Sequence, residues 1–214
     1  MTVAEHPPRT TKAPVISWAF WDWGSAAFNA VLVTFIFSVY LTDSVGSTLP
    51  SGNATSLYSM AVALAGVVVA VVAPVMGRRS DIRGTRRASL RIWTLVTVLL
   101  MFSLFAVKNT DPVYFWIGVA IMAVANVTFE FAEVQYYAQL SQVSTAKTVG
   151  RISGFGWSMG YFGGIFLLLI CYFGFVAGEG DTRGFLNIPT EEGLNIRLVA
   201  VFAALRHVRR TGQG

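Results

Sequence analysis

Five long apolar runs separated by short polar stretches dominate the hydrophobic pattern of this 214-residue chain. A membrane-spanning helix needs about 17 to 25 predominantly apolar residues, because each residue advances about 1.5 Å across a hydrocarbon core about 30 Å thick. Every one of these runs is long enough. The pattern therefore predicts five transmembrane helices, over residues 15–41, 57–76, 90–107, 113–140 and 152–177.

A sixth apolar run, residues 198–205, is too short for a span. It holds eight apolar residues before arginine returns at position 206, and eight residues cannot cross a bilayer. The ending suggests a truncated chain or a change of reading frame. We expect a cytoplasmic tail over residues 1–14, a membrane domain over residues 15–205 with an incomplete sixth helix, and a basic tail over residues 206–214.

Basic residues alternate between the connecting loops. Residues 77–87 contain five arginines, and residues 141–151 contain Lys147 and Arg151, whereas residues 42–56 contain no lysine or arginine. Loops rich in lysine and arginine stay in the cytoplasm. The alternation therefore predicts a multi-pass integral membrane protein with a cytoplasmic N-terminus.

Composition agrees with this class and excludes others. Only 13% of the residues are charged, against about 25% in soluble domains. The net charge of +5 is explained by arginines at the ends of apolar runs, which favours contact with anionic lipid over nucleic acid. Because the predicted spans contain no histidine, no metal-ligand spacing and no nucleophile–base pair, we expect neither an enzyme nor a bound metal or cofactor.

A polar stripe interrupts the first predicted helix. Asp22, Ser25 and Asn29 recur at i, i+3 and i+7, which places them on one helix face. An ionisable residue inside a membrane is costly and is a functional candidate by default. This stripe could contact a substrate or proton along a water-filled path. Alternatively, Asp22 has a structural or gating role, bonded to a helix terminus or a loop arginine.

A second polar cluster lies in the fourth predicted helix. Glu130, Glu133 and Tyr137 also stand at i, i+3 and i+7, and Tyr136 adds hydrogen-bonding capacity. Two negative charges close together on one face of a membrane helix repel each other, which favours protonation of at least one carboxylate. A proton-coupled site requires such a group. The alternative is that each carboxylate pairs with an arginine at a helix end, such as Arg91, and only fixes packing.

Glycines repeat every four residues in the fifth predicted helix, at Gly156, Gly160 and Gly164. Small residues at this spacing let transmembrane helices approach closely. Glycine-rich segments can also hold phosphates, but that role requires a preceding strand. We therefore interpret these three glycines as a helix-packing face.

The loop over residues 77–87 (GRRSDIRGTRR) resembles a motif of the major facilitator family, which lies between that family's second and third helices. Gly77, Asp81, Gly84 and the pair Arg86-Arg87 match the pattern, while Ile82 and Thr85 depart from it. The resemblance implies a conformational latch that includes Arg83, in which Asp81 pairs with an arginine or helix N-terminus of an opposite half. A plain topology loop that binds anionic lipid is the alternative.

Residues 17–177 further resemble the autophagy-related vacuolar amino-acid effluxers and their bacterial relatives within that family. Residues 21–25 (WDWGS) are similar to the string that begins their first helix, and residues 149–164 (VGRISGFGWSMGYFGG) are similar to their fifth helix. Residues 136–138 (YYA) stand where that group carries Tyr-Asn-Ala, without the asparagine.

The resemblance implies the all-α, six-helix N-terminal half of a twelve-helix transporter that works by alternating access. The expected partners are the lipid bilayer, a small polar solute such as an amino acid, moved with or without protons, and either the missing C-terminal half or a second copy. A membrane interaction or scaffold protein without transport activity is the competing hypothesis.

Overall fold

The computed structural model describes residues 12–50 and 52–211, which are almost entirely helical. Most of the predicted N-terminal tail, residues 1–11, and the last part of the predicted basic tail, residues 212–214, lie outside the described residues. The α-helices are α1 Lys12–Ala26, α2 Phe37–Val39, α3 Ala54–Arg83, α4 Arg86–Ser103, α5 Pro112–Ala138, α6 Leu140–Val143, α7 Val149–Cys171 and α8 Leu194–Thr211.

Wider and tighter helical turns connect or extend these helices. π-helical turns cover Ala27–Phe35, Tyr40–Val45 and Tyr172–Val176, and 3₁₀ turns cover Gly46–Thr48, Leu104–Ala106 and Glu191–Gly193. Two short antiparallel strands, β1 Thr182–Arg183 and β2 Ile188–Pro189, form a small hairpin before α8.

The five predicted spans are confirmed. The described residues contain five helical segments that are long and apolar enough to cross a membrane: Pro14–Thr48, Ala54–Arg83, Arg86–Ala106, Pro112–Val143 and Val149–Val176. The predicted loop over residues 42–56 is wrong in its first half, because helical turns continue to Thr48. Val45 and Leu49 in this stretch are buried, so apolar packing keeps the chain helical there.

Local signals explain where two helices begin and end. The Asp111 carboxylate accepts a hydrogen bond from the backbone N–H of Val113 at 2.8 Å, and Pro112 occupies the first turn of α5. Both are preferred at a helix start. At the other end of the bundle, α3 stops at Gly84, whose φ of 64° is the left-handed conformation that glycine adopts without strain.

Helix α1 packs along α7, and α5 lies between α3 and α4. The main core is apolar and aromatic, with Phe28, Phe37, Phe115 and Phe129 almost fully buried. A smaller cluster around Trp18, Trp21 and Tyr136 fills the end of the bundle at which α1 begins. Helix α3 is the least buried span, with 11% of its apolar window covered against 61% for the first span, so most of its surface is free to face lipid.

The sixth helix differs from its sequence-based description. Helix α8 spans Leu194–Thr211 and continues through the residues interpreted as the start of a basic tail. Its inner face presents the fully buried Ala200, Ala203 and Ala204, whose small side chains allow close packing against α4 and the first span. It is not among the five segments of the described chain that could cross a membrane.

The loops group at two ends, as the alternation of charge predicted. Arg86 Nη1 donates a hydrogen bond to the carbonyl of Ala138 at 2.8 Å, which joins the basic loop to the C-terminal end of α5. At the opposite end, Lys108 Nζ lies 2.7 Å from Glu192 Oε2 and connects the loops before α5 and before α8. That the basic end faces the cytoplasm stays a prediction.

Candidate functional site

A groove of about 390 Å³ runs between the first span, α5 and α7. It is open along one side, and its wall combines carboxylates, hydroxyls, an amide and aromatic rings. The lining residues are Asp22, Ser25, Ala26, Asn29, Ala30, Thr34, Phe35, Glu133, Tyr137, Trp157, Gly160, Tyr161, Gly164, Ile165 and Leu168.

The polar stripe of the first span lies along this groove. Ser25 Oγ is 3.1 Å from the carbonyl of Asp22 and 3.4 Å from Asp22 Oδ1. Asn29 is exposed one turn further along, and Thr34 Oγ1 donates to the carbonyl of Asn29 at 2.8 Å. The wall therefore offers a solute a carboxylate, two hydroxyls and an amide in sequence along one helix.

Helix α5 contributes one carboxylate of the predicted pair. Glu133 lines the groove and accepts a hydrogen bond from the Tyr137 hydroxyl at 3.2 Å. Glu130, one turn earlier, is not part of the lining. The two acids are displaced from each other around the helix, and only the later one reaches the face turned to α1 and α7.

Tyr136 also lies outside the groove. Its ring is almost fully buried and stacks with Trp18 at 4.5 Å and with Trp21 at 4.4 Å between ring centroids. The Trp18 indole N–H donates to the carbonyl of Tyr136 at 3.1 Å. This aromatic stack lies beside the groove, and Tyr136 is not among the residues that line the groove.

The charge of the groove has one sign. Asp22 and Glu133 are its acidic side chains, and none of its described lining residues is lysine, arginine or histidine. Arg91, which the sequence suggested as a partner for the α5 carboxylates, lines a different cavity. The groove as formed by these residues can therefore bind a cationic group or hold protons, and offers no positive side chain to an anion.

Glycines of α7 permit the close approach of α1. A Cβ atom added at Gly156 would lie 2.5 Å from Cζ3 of Trp18, and one at Gly160 would lie 2.7 Å from Oδ2 of Asp22. Both distances are shorter than real Cβ contacts. At Gly164 a Cβ would make ordinary contact, at 3.4 Å, with alanine side chains of the first span. Gly160 therefore also makes room for the candidate functional carboxylate.

Gly163 belongs to the same contact, although the four-residue glycine spacing did not point to it. An added Cβ would lie 2.7 Å from the carbonyl oxygen of Trp23 and 3.0 Å from its Cα. Since these are backbone atoms, α1 itself would have to move. A spacing of seven residues from Gly156, two helical turns, is the sequence signal that could have identified it.

The basic loop is held against α5. Asp81, in the last turn of α3, forms an ion pair with Arg86 at the start of α4, so within the described residues its partner is local, and pairing with an opposite half stays a prediction. Gly77 faces Val134, at 3.5 Å from an added Cβ. Arg83 is exposed.

A second cavity, of about 240 Å³, lies at this end of the bundle and includes Arg87 and Arg91. It is separate from the groove, since the two share no lining residue. Trp21 and Asp22, adjacent in sequence, line different cavities.

Sequence reasoning missed the aromatic residues of the groove and one buried histidine. Trp157 and Tyr161 line the groove from α7, and their spacing of four residues, directly beside the glycine face, was the available signal. His207, interpreted as part of an exposed tail, is 2% exposed and lies edge-on to Trp21, with 6.5 Å between ring centroids. The arginines around His207 in the sequence suggested an exposed position.

The described residues contain no group of three or more acidic, histidine or cysteine side chains that could hold a metal.

The helices and the groove define an all-α, multi-pass membrane protein with the helix content of half a major facilitator fold. No protein-family model matches the chain, and no solved structure gives a significant match. Among curated proteins, the chain is similar to one of Bacillus subtilis (strain 168) described as the uncharacterized MFS-type transporter YxiO, with 22% identity over 168 residues.

That alignment covers 78% of this chain and 38% of the relative. The chain therefore spans about two fifths of the length of the relative that it matches. Together with the five spans, the similarity supports a membrane transporter of the major facilitator type in general. It does not extend to the effluxer subfamily.

Proposed function

We propose that this chain forms one wall of a secondary transporter that moves a small polar solute by alternating access. The observation that carries the proposal is the groove in which Asp22, Ser25, Asn29, Glu133 and Tyr137 converge between three membrane-spanning helices. Transporters of this class bind substrate near the midplane between two helical repeats. Ionisable residues in such helices mark substrate or proton pathways.

A second six-helix unit would close the open side of the groove. Its source is either further chain or a second copy of this one, and the 38% coverage of the relative supports the first alternative. In this arrangement the basic loop serves as the latch between halves, with Asp81 exchanging its local partner Arg86 for a group of the opposite unit. The basic end faces the cytoplasm.

Amino acids are the solutes that the resemblance to the effluxers implies, and we propose them as the first substrate class to test. The ammonium group of an amino acid would pair with Asp22 or Glu133. Its carboxylate would need a positive group from the opposite unit, because the described lining residues provide none. Protonation and deprotonation of Glu133 would couple solute transport to proton movement. The Tyr137 hydroxyl, which donates a hydrogen bond to the Glu133 carboxylate, could rotate to accept one when that carboxylate is protonated.

Flux of a labelled amino-acid mixture into proteoliposomes tests the proposal, with the chain reconstituted together with its second six-helix unit, either a second copy or the further chain. We expect a flux that Asp22→Asn and Glu133→Gln each abolish, because each removes a negative charge from the groove. Glu130→Gln is the matched control: it makes the same change one helical turn away, outside the lining, and should keep most of the flux.

A folded two-unit assembly that shows no flux and no binding of any amino acid would contradict the amino-acid assignment. If other small solutes also fail, a non-transporting membrane protein becomes the better hypothesis. Equal flux in wild type, Asp22→Asn and Glu133→Gln would leave transport standing but remove the groove as its pathway.

A further inference from the structure

The second cavity lies between the start of α1, the first turns of α4 and the end of α5 with α6. One part of its wall is aromatic and apolar, and the other part carries arginines, amides and hydroxyls. The lining residues are Pro14, Ser17, Trp18, Trp21, Arg87, Leu90, Arg91, Thr94, Tyr136, Gln139, Gln142 and Val143.

The charge of this cavity is opposite to that of the groove. Arg87 and Arg91 are four residues apart on α4, so they lie on neighbouring turns of one helix face. No described lining residue is aspartate or glutamate. Asp81, in the last turn of α3, is paired with Arg86, and neither residue lines the cavity. The lining begins in the first turn of α4, where the unpaired backbone N–H groups add partial positive charge.

The remaining wall is preorganised. The Trp18 indole N–H is bonded to the backbone of Tyr136, and the Trp21 indole N–H lies 3.4 Å from the hydroxyl of Thr94. Both indole rings also stack on the ring of Tyr136, so hydrogen bonds and stacking together fix their positions. Gln139 and Gln142 add neutral side-chain amides to the lining. A ligand that fits this wall has an anionic end and a carbon-rich part.

We propose that this cavity binds a phosphate group. Arg87 and Arg91 would pair with the phosphate oxygens, because a planar guanidinium matches that geometry with two parallel hydrogen bonds. Gln139 and Gln142 would donate further bonds, and Trp18 and Trp21 would contact the organic part. Basic pockets between transmembrane helices are known to bind phosphate head groups of lipids. The phosphate is carried either by an anionic phospholipid or by a soluble molecule.

Native mass spectrometry of the purified full chain tests the proposal. The chain is released from mixed micelles that contain equal amounts of phosphatidylglycerol and phosphatidylcholine, and the bound lipid is counted. We expect phosphatidylglycerol adducts in the wild type, reduced about tenfold or more in Arg87→Gln/Arg91→Gln, because the variant loses the paired charge-assisted hydrogen bonds to the phosphate oxygens. The matched control Arg78→Gln/Arg79→Gln removes the same charge from exposed positions outside the cavity and should keep its adducts.

A parallel thermal-unfolding titration with inorganic phosphate distinguishes the two sources. Protection of the wild type, lost in the Arg87/Arg91 variant, indicates a soluble phosphate ligand, whereas adducts without such protection indicate a lipid head group. Equal adduct loss in both double variants would overturn the proposal, because general surface charge would then explain the binding. Absence of both adducts and protection in the wild type would overturn it too.

A charge-conserving variant keeps the test decisive if the glutamine variant does not fold. Arg87→Lys/Arg91→Lys retains the charge and removes the paired hydrogen-bond geometry. We expect fewer phosphatidylglycerol adducts than in Arg78→Lys/Arg79→Lys. Equal adduct levels in these two lysine variants would contradict phosphate recognition by Arg87 and Arg91.

Discussion

Replacing Gly160 by alanine should loosen the contact between α1 and α7 and disturb the groove at the same time. The added Cβ would lie 2.7 Å from Oδ2 and 2.9 Å from Cγ of Asp22. Overpacking of this kind costs about 1–3 kcal/mol. The change from glycine to alanine inside a helix also brings a gain of up to about 1 kcal/mol in soluble hosts. Both effects occur together in Gly160→Ala.

Gly154→Ala isolates the second effect. Gly154 belongs to the same helix, and no atom lies within 4 Å of an added Cβ. Because the helix-propensity gain is common to both variants, it cancels in their comparison. The free energy of unfolding should therefore be lower in Gly160→Ala than in Gly154→Ala by about 1–3 kcal/mol.

Equilibrium unfolding of the purified chain in mixed micelles, followed by far-UV circular dichroism, provides the measurement. The same pair of alanine changes is then made in an Asp22→Ala background, which removes the atoms that clash with the new methyl group. The difference between the two positions should shrink there, because residues in contact give non-additive effects. Equal stability of Gly160→Ala and Gly154→Ala would refute the reasoning, as would a difference that persists without the Asp22 carboxylate.

Three further predictions concern other contacts. Gly163→Ala should destabilise the chain more than Gly164→Ala in the same unfolding assay, because its Cβ would meet α1 backbone at 2.7 Å and not side chains at 3.4 Å; similar losses would contradict this. Thr97→Val should cost about 1 kcal/mol, since it removes a buried hydroxyl contact of 2.9 Å to α5 at nearly constant volume, and unchanged stability would argue against that bond. Finally, the hydrogen bond from Lys108 lowers the pKa of Glu192 below its ordinary 4.5. Its stabilisation is thus present above the unfolded-state pKa and is lost as the pH falls through the lower folded-state pKa. The melting-temperature difference between wild type and Glu192→Gln should therefore shrink as the pH falls below 4.5 and vanish once this carboxylate is protonated in the folded chain, and a pH-independent difference would contradict the assignment.

The spans were predictable because length and apolarity alone decide whether a helix can cross a bilayer. Helix α8 was described less well, because its buried face combines small alanines with the polar Asn195 and Arg197, and its last turns carry arginines. His207 shows the limit most clearly. A histidine between arginines has the sequence character of an exposed tail, and only the packing of α8 on Trp21 turns it inward.

The candidate site was predictable where a single helix determined it. Asp22, Ser25 and Asn29 share a face through helical spacing, and the structure places all three on the groove. The choice between Glu130 and Glu133 depends on how α5 is rotated relative to α1 and α7. That rotation arises from long-range packing, on which the periodicity of α5 carries no information.

The π-helical turns after Ala26 change how the first span presents its residues. In a regular α-helix, at about 100° per residue, Thr34 would stand about 120° around the axis from Asp22. Yet both line the same groove, because the wider turns over Ala27–Phe35 delay the rotation, and the Thr34 hydroxyl bonds to the carbonyl five residues earlier. The underwound segment thus aligns the polar groups of the first span in one straight strip along the groove, where a regular α-helix would turn them around its axis in a spiral.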